Sequence, residues 1–99
     1  MSLEEATTLA RKHVGDTIGI AKTLKVDLGD DGVIYFDGRA TPNTISNEDA
    51  EADVTMTCSM KTFLGLLEGD VNPQMAYMMG KIRISGDMGT ALAFAKALG

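Results

Sequence analysis

A chain of 99 residues with a formal net charge of -5 reads as a single domain over residues 1–99, with room for one modest core. Its 44% hydrophobic and 23% charged residues are those of a folded globular protein rather than a disordered one. The acidic balance, with a pI near 4.6, argues against nucleic acid and against anionic membranes as main partners, because both need a basic face.

The opening MSLEEATTLARKHV puts acids ahead of bases and has no apolar run, so it does not read as a secretory signal. No stretch approaches the ~20 apolar residues of a membrane span. A lone cysteine, Cys58, makes no internal disulfide, which fits a reducing compartment. The expected location is the cytoplasm, with no stable membrane insertion.

Ser2 followed by Glu5 forms a capping box, and Leu3, Ala6, Leu9, Ala10, His13 and Val14 then follow one helical stripe. They predict a first helix of about three turns. Gly15 to Lys22 reads as a loop leading into a strand. Leu24, Val26 and Leu28 alternate with polar neighbours. After Gly29-Asp30-Asp31-Gly32 comes the β-rich run Val33 to Phe36, so a hairpin is expected, with Asp-Gly supplying positive φ in its turn. The polar run Thr41 to Asp53 predicts a surface connection with a short strand at Thr44 to Ser46.

Val54, Met56 and Cys58 alternate as a half-buried strand. Met60, Phe63, Leu64 and Leu67 then switch to helical spacing, capped by Ser59 and stopped near Gly69. Asn72 and Pro73 start a short helix to Met79, with Gly80 placed to end it in the left-handed region. Lys81 to Ser85 alternate as a last strand, and Gly86-Asp87 leads into a final helix over Met88 to Leu98. Thr90 and Lys96 are that helix's only polar side chains, so one of its faces must be covered.

Reactive chemistry is sparse. With one histidine and one cysteine no zinc site or Cys-His pair can be assembled in the chain. His13 reads as an ordinary helix residue and Cys58 as a small buried hydrophobe. The acidic run Asn47, Glu48, Asp49, Glu51, Asp53 lacks the glycine and spacing of an EF-hand loop, and no phosphate-binding glycine pattern occurs. No catalytic residue, metal or cofactor is expected. What stands out is soft apolar surface: four of the seven methionines fall between Gly69 and Gly89. Methionine is overused where a surface must fit variable apolar partners. An apolar pocket, a homodimer interface and an exposed functional patch all fit these residues.

The segment from Ala52 to Leu92, ADVTMTCSMKTFLGLLEGDVNPQMAYMMGKIRISGDMGTAL, resembles the signature half of the sterol carrier protein type 2 family. The resemblance rests on Ala52-Asp53 opening a strand, the Leu-rich helix to Gly69, Asn72-Pro73-Gln74, Gly80-Lys81 and Gly86-Asp87-Met88 in order. It implies an α/β fold of the α+β type: a sheet of about five strands covered on one side by helices, with an apolar cavity between them. It also implies non-catalytic binding and transfer of a fatty acid, fatty acyl-CoA or sterol-like lipid. Carried onto this chain, the pocket lining would be Met56, Leu64, Leu67, Gln74, Met75, Met78, Met79, Ile82, Ile84, Phe94 and Leu98, with Gln74 as a polar contact and the last helix as a lid. The alternative is dimerisation or partner docking without a lipid, as in a homodimer through the C-terminal helix.

An empty pocket of about 300 Å³ at ~24 cal/mol per Å³ would cost about 7 kcal/mol, against a total stability of ~5–15 kcal/mol. Such a cavity is expected either to be collapsed upon by its methionines or to be filled.

Overall fold

A computed structural model describes residues 1–15 and 18–98. The elements run α1 (Leu3–Val14), β1 (Thr23–Asp27), β2 (Val33–Asp37), β3 (Thr44–Ser46), β4 (Val54–Thr57), α2 (Met60–Glu68), α3 (Pro73–Met78), β5 (Arg83–Gly86) and α4 (Met88–Leu98). The strands form one five-stranded sheet in the order β3-β2-β1-β4-β5. The pair β1–β4 is parallel and the other neighbours are antiparallel.

Register puts the apolar strand residues other than Val33 on one face. Leu24 lies between Phe36 and Val54, Val26 between Ile34 and Met56, while Ile45 joins Phe36 and Ile84 joins Met56. With a side-chain period of two, the same register leaves Lys25, Asp27, Tyr35, Thr55 and Arg83 on the opposite face. The helices cover the apolar face. α4 touches β4 and β5 and also α1, α2 and α3, placing it in the middle of the helical layer.

Local chemistry explains the helix ends. The Ser2 hydroxyl accepts from the Glu5 N–H at 3.2 Å while the Glu5 carboxylate accepts from the Ser2 N–H at 3.1 Å, closing the capping box. Ser59 accepts from the Thr62 N–H at 3.1 Å and Asn72 from the N–H groups of Gln74 and Met75 at 3.0 and 3.1 Å. α4 starts at Asp87, whose carboxylate accepts from the Thr90 N–H at 2.8 Å.

Three sequence expectations need adjusting. The hairpin turn is a single 3-10 turn at Gly29–Asp31, and glycines 29 and 32 alone adopt positive φ there, since a side chain makes that region costly for aspartate. The final strand is shorter than its alternation predicts, because the Lys81 N–H is spent on the Ala76 carbonyl at 2.9 Å, closing α3. The stretch from Gly15 to Lys22, read as a loop leading into a strand, is irregular from Ile18 up to β1 as expected, and its residues 16 and 17 lie outside the described residues.

The third concerns the polar run from Thr41 to Asp53, which does more than connect. Ile45 is buried. The Asn47 amide donates to the Thr7 hydroxyl and to the Val33 carbonyl, each at 2.9 Å, tying α1 to the sheet. The Asp53 carboxylate accepts from the Thr23 N–H at 2.9 Å and its hydroxyl at 3.1 Å, while the Asp53 N–H donates back to that hydroxyl at 2.8 Å.

This clamp crowds the end of β5. Gly86, at φ +110°, faces Val54, and a Cβ there would sit 2.6 Å from the Asp53 carbonyl oxygen. Gly86→Ala is therefore expected to destabilise the protein by more than about 1 kcal/mol in urea denaturation. An unchanged midpoint would contradict the close packing of β4 and β5.

Candidate functional site

The residues singled out for a pocket divide by position. Met56, Leu67, Ile82, Phe94 and Leu98 are buried in the common core, and Leu64 and Ile84 pack half-buried against it. Phe94 and Leu98 are fully covered and share one stripe of α4 with Ala91 and Ala95. The apolar stripe of the last helix is thus buried within its own chain, leaving Met88, Ala93 and Lys96 on the outer side.

The remaining candidates sit on α3 and face solvent. Met75, Met78 and Met79 are 57%, 77% and 64% exposed, and Tyr77 is 39% exposed. A helix of this length has one anchoring side chain, Ala76, which is buried. Its methionines share a face, as i, i+3, i+4 spacing requires, and that face is directed away from the core.

α3 is nevertheless closed at both ends by its own bonds. Asn72 caps the first turn. At the other end the Gly80 N–H reaches the Tyr77 carbonyl at 3.1 Å and the Lys81 N–H reaches that of Ala76, a Schellman arrangement made possible by Gly80 at φ +78°.

Grooves open to solvent flank this helix. One of about 220 Å³ lies between the start of α3 and α4, lined by Asn72, Pro73, Gln74, Leu92 and Lys96. A second, of about 410 Å³, runs along the other side past Asp70, Val71, Asn72, Met75, Ala76, Met79 and Lys81. Of the first groove's lining only Gln74 is legible in the sequence as a site residue; Asn72, Pro73, Leu92 and Lys96 are not. In the sequence Asn72 and Pro73 read as helix-start residues, and Lys96 as one of α4's two polar side chains. Gln74 lines the same groove as Lys96.

Reactive groups stay apart from these grooves. His13 is exposed in the last turn of α1. Cys58 is buried, and desolvation, helped by the negative charge of Asp27, pushes its thiol up to about 12. A thiol of this kind is neither a nucleophile nor a ready metal ligand at neutral pH. Among the described residues no group of three or more His, Cys, Asp or Glu is positioned to hold a metal ion. No helix among them is long and apolar enough to cross a membrane.

Comparison with known proteins adds a pedigree to this geometry. A model of the SCP-2 sterol transfer family matches residues 4–99. Sterol carrier protein 2 of Homo sapiens is 42% identical over 50 residues, covering 50% of this chain and 9% of that protein. Hydroxysteroid dehydrogenase-like protein 2 of Xenopus laevis is 40% identical over 62 residues, covering 63% of this chain and 13% of that protein. The chain thus spans only about a tenth of the length of these curated relatives. The solution structure of the sterol carrier protein domain 2 of Helicoverpa armigera superposes with a TM-score of 0.69 at 26% identity, covering 97% of this chain and 87% of that one.

The cysteine yields a test. Because the folded state holds the Cys58 thiol protonated from its ordinary 9.0 up to about 12, its contribution to stability is complete below pH 9 and declines as pH rises from there toward 12. Cys58→Ala should accordingly lose less stability than the parent over that alkaline range in chemical denaturation. Equal slopes would contradict a buried neutral thiol.

Proposed function

The chain belongs to the SCP-2 sterol transfer family, and from that premise we propose that it binds and transfers a fatty acid, fatty acyl-CoA or sterol-like lipid in the cytoplasm, without catalysis. The observation that carries the reading is the pairing of exposed methionines with a helix anchored by one buried side chain. Methionine left in water forgoes about 1.5–3 kcal/mol per fully buried side chain, so these residues have more to gain from an apolar ligand than from the free state.

In the proposed mechanism the lipid's apolar part enters beside α3, starting from the groove between α3 and α4. That groove, at about 220 Å³, is smaller than the ~300–1,000 Å³ of typical ligand sites, so it holds only part of a lipid. The rest is accommodated when α3 lifts, turning Met75, Met78 and Met79 over the ligand and opening a path toward Leu64, Leu67, Ile82, Ile84, Met56, Phe94 and Leu98. Each buried CH₂ contributes about 0.8 kcal/mol, so area supplies the affinity and no bond need be made or broken. Lys96 and Gln74, at the solvent edge of the groove, hold an anionic head group by charge and hydrogen bonding.

A lipid present at about 100 times its dissociation constant stabilises the folded state by about 2.7 kcal/mol. Thermal unfolding with long-chain fatty acids, acyl-CoA and sterols should therefore show a clear rise in Tm for at least one class. Lys96→Ala should weaken displacement of a fluorescent fatty acid several-fold while leaving an uncharged sterol unaffected. A Tm indifferent to all three classes would overturn the proposal.

A further inference from the structure

The sulfur atoms of the chain divide by depth. Cys58 and Met56 are buried in the core, and Met60 is half-buried against it. Met75, Met78 and Met79 stand 57%, 77% and 64% exposed on α3, with Met1 at 61% and Met88 at 36% the other accessible methionines.

Depth decides which sulfur an oxidant can reach, and ionisation decides which reacts fastest once reached. A thiol reacts as its thiolate, and the Cys58 thiol is both covered and held protonated by desolvation, with the charge of Asp27 adding to the effect. A thioether has no proton to lose, so for methionine access alone governs the reaction. A peroxide is therefore directed to the α3 face and away from the core.

The consequence of oxidation there follows from how α3 is held. Its anchor is the buried Ala76, and its ends are closed by the Asn72 side chain and by backbone bonds around Gly80. None of these uses a methionine side chain, so a sulfoxide on Met75, Met78 or Met79 leaves the fold in place. Beneath a lipid the same oxygen is costly, because a polar acceptor covered by hydrocarbon loses its water and gains no donor in return.

We propose that Met75, Met78 and Met79 form a reversible oxidation site at which hydrogen peroxide switches off lipid binding. The proposal rests on the carrier reading and adds its regulation. In each reaction the thioether sulfur attacks one peroxide oxygen, the O–O bond breaks and an S–O bond forms. The sulfur is oxidised by two electrons, and the departing hydroxide takes the proton of the transferred oxygen and leaves as water. Reversal by methionine sulfoxide reductases is driven by two thiols per sulfoxide, which become a disulfide as the oxygen leaves in water.

The test is exposure of the full chain to hydrogen peroxide, followed by peptide mapping and by displacement of a fluorescent fatty acid. Met75, Met78 and Met79 should oxidise at least about tenfold faster than Met56, with circular dichroism unchanged. Their complete oxidation should weaken fatty-acid binding at least about tenfold, and the A and B reductases together, one for each sulfoxide epimer, should restore it. A variant combining Met75→Leu, Met78→Leu and Met79→Leu, compared with its own affinity before peroxide, should not respond, whereas one combining Met1→Leu and Met88→Leu should respond as the parent does. Oxidation of Met56 ahead of α3, an equal response from the triple leucine variant, or a loss that the reductases leave in place would each overturn the proposal. Fatty-acid binding that survives full oxidation of the three methionines sinks the switch alone, and an unoxidised parent that binds no lipid sinks the carrier reading and the switch with it.

Discussion

The parallel pairing of β1 with β4 is the joint on which the molecule hangs. It joins the β1–β2–β3 meander to the β4–β5 pair, and it aligns Leu24 with Val54 and Val26 with Met56 on one face. A slip of one residue would turn each of these side chains into solvent. The reciprocal bonds between Asp53 and Thr23 hold the register at the entry of both strands. Since Thr23 is itself buried, the carboxylate satisfies donors that would otherwise be costly to cover. Hydrogen bonding to the Thr23 N–H and then to its hydroxyl keeps the Asp53 carboxyl below its ordinary range.

Once one sheet face is apolar and the other polar, the helices have a single place to go. α4 occupies its centre, and the fully buried Phe94 and Leu98 make it part of the core. α3 is then left at the margin, and its energetics differ from those of its neighbours. Its terminal backbone groups are satisfied by Asn72, Gly80 and Lys81, all within the same short segment. Shifting it as a unit breaks few hydrogen bonds and uncovers little beyond Ala76. Elements from the low-stability end of a structure are the ones free to act as gates, and this one carries Met78, 77% exposed. The same constraint that aligns the sheet thereby leaves an apolar surface exposed on α3.

Much of this fold is legible from local rules. The capping box at Ser2 and Glu5, the cap at Ser59, the Asn72-Pro73 start and the bounds of α4 need only a few adjacent residues. What escaped depends on distance in the chain. Asn47 and Asp53 sit in an acidic polar run that reads as solvated loop, because their partners Thr7 and Thr23 lie 40 and 30 residues away. For α3, the spacing of Met75, Met78 and Met79 tells that they share a face; which way a face points is decided by what else covers the sheet. Lys96 was visible as a lone charge on an apolar helix, yet its neighbourhood with Gln74 is a product of tertiary packing.

The central claim is that α3 is a marginal element that lipid recruits, and amide hydrogen exchange along the chain measures this directly. With no lipid, the amides of Tyr77 to Lys81 should exchange by local opening, far faster than those of β1 and β4. Saturation with a long-chain fatty acid should slow them by at least about tenfold. Exchange in α3 that is unmoved by lipid, or that already requires global unfolding in its absence, would contradict the account.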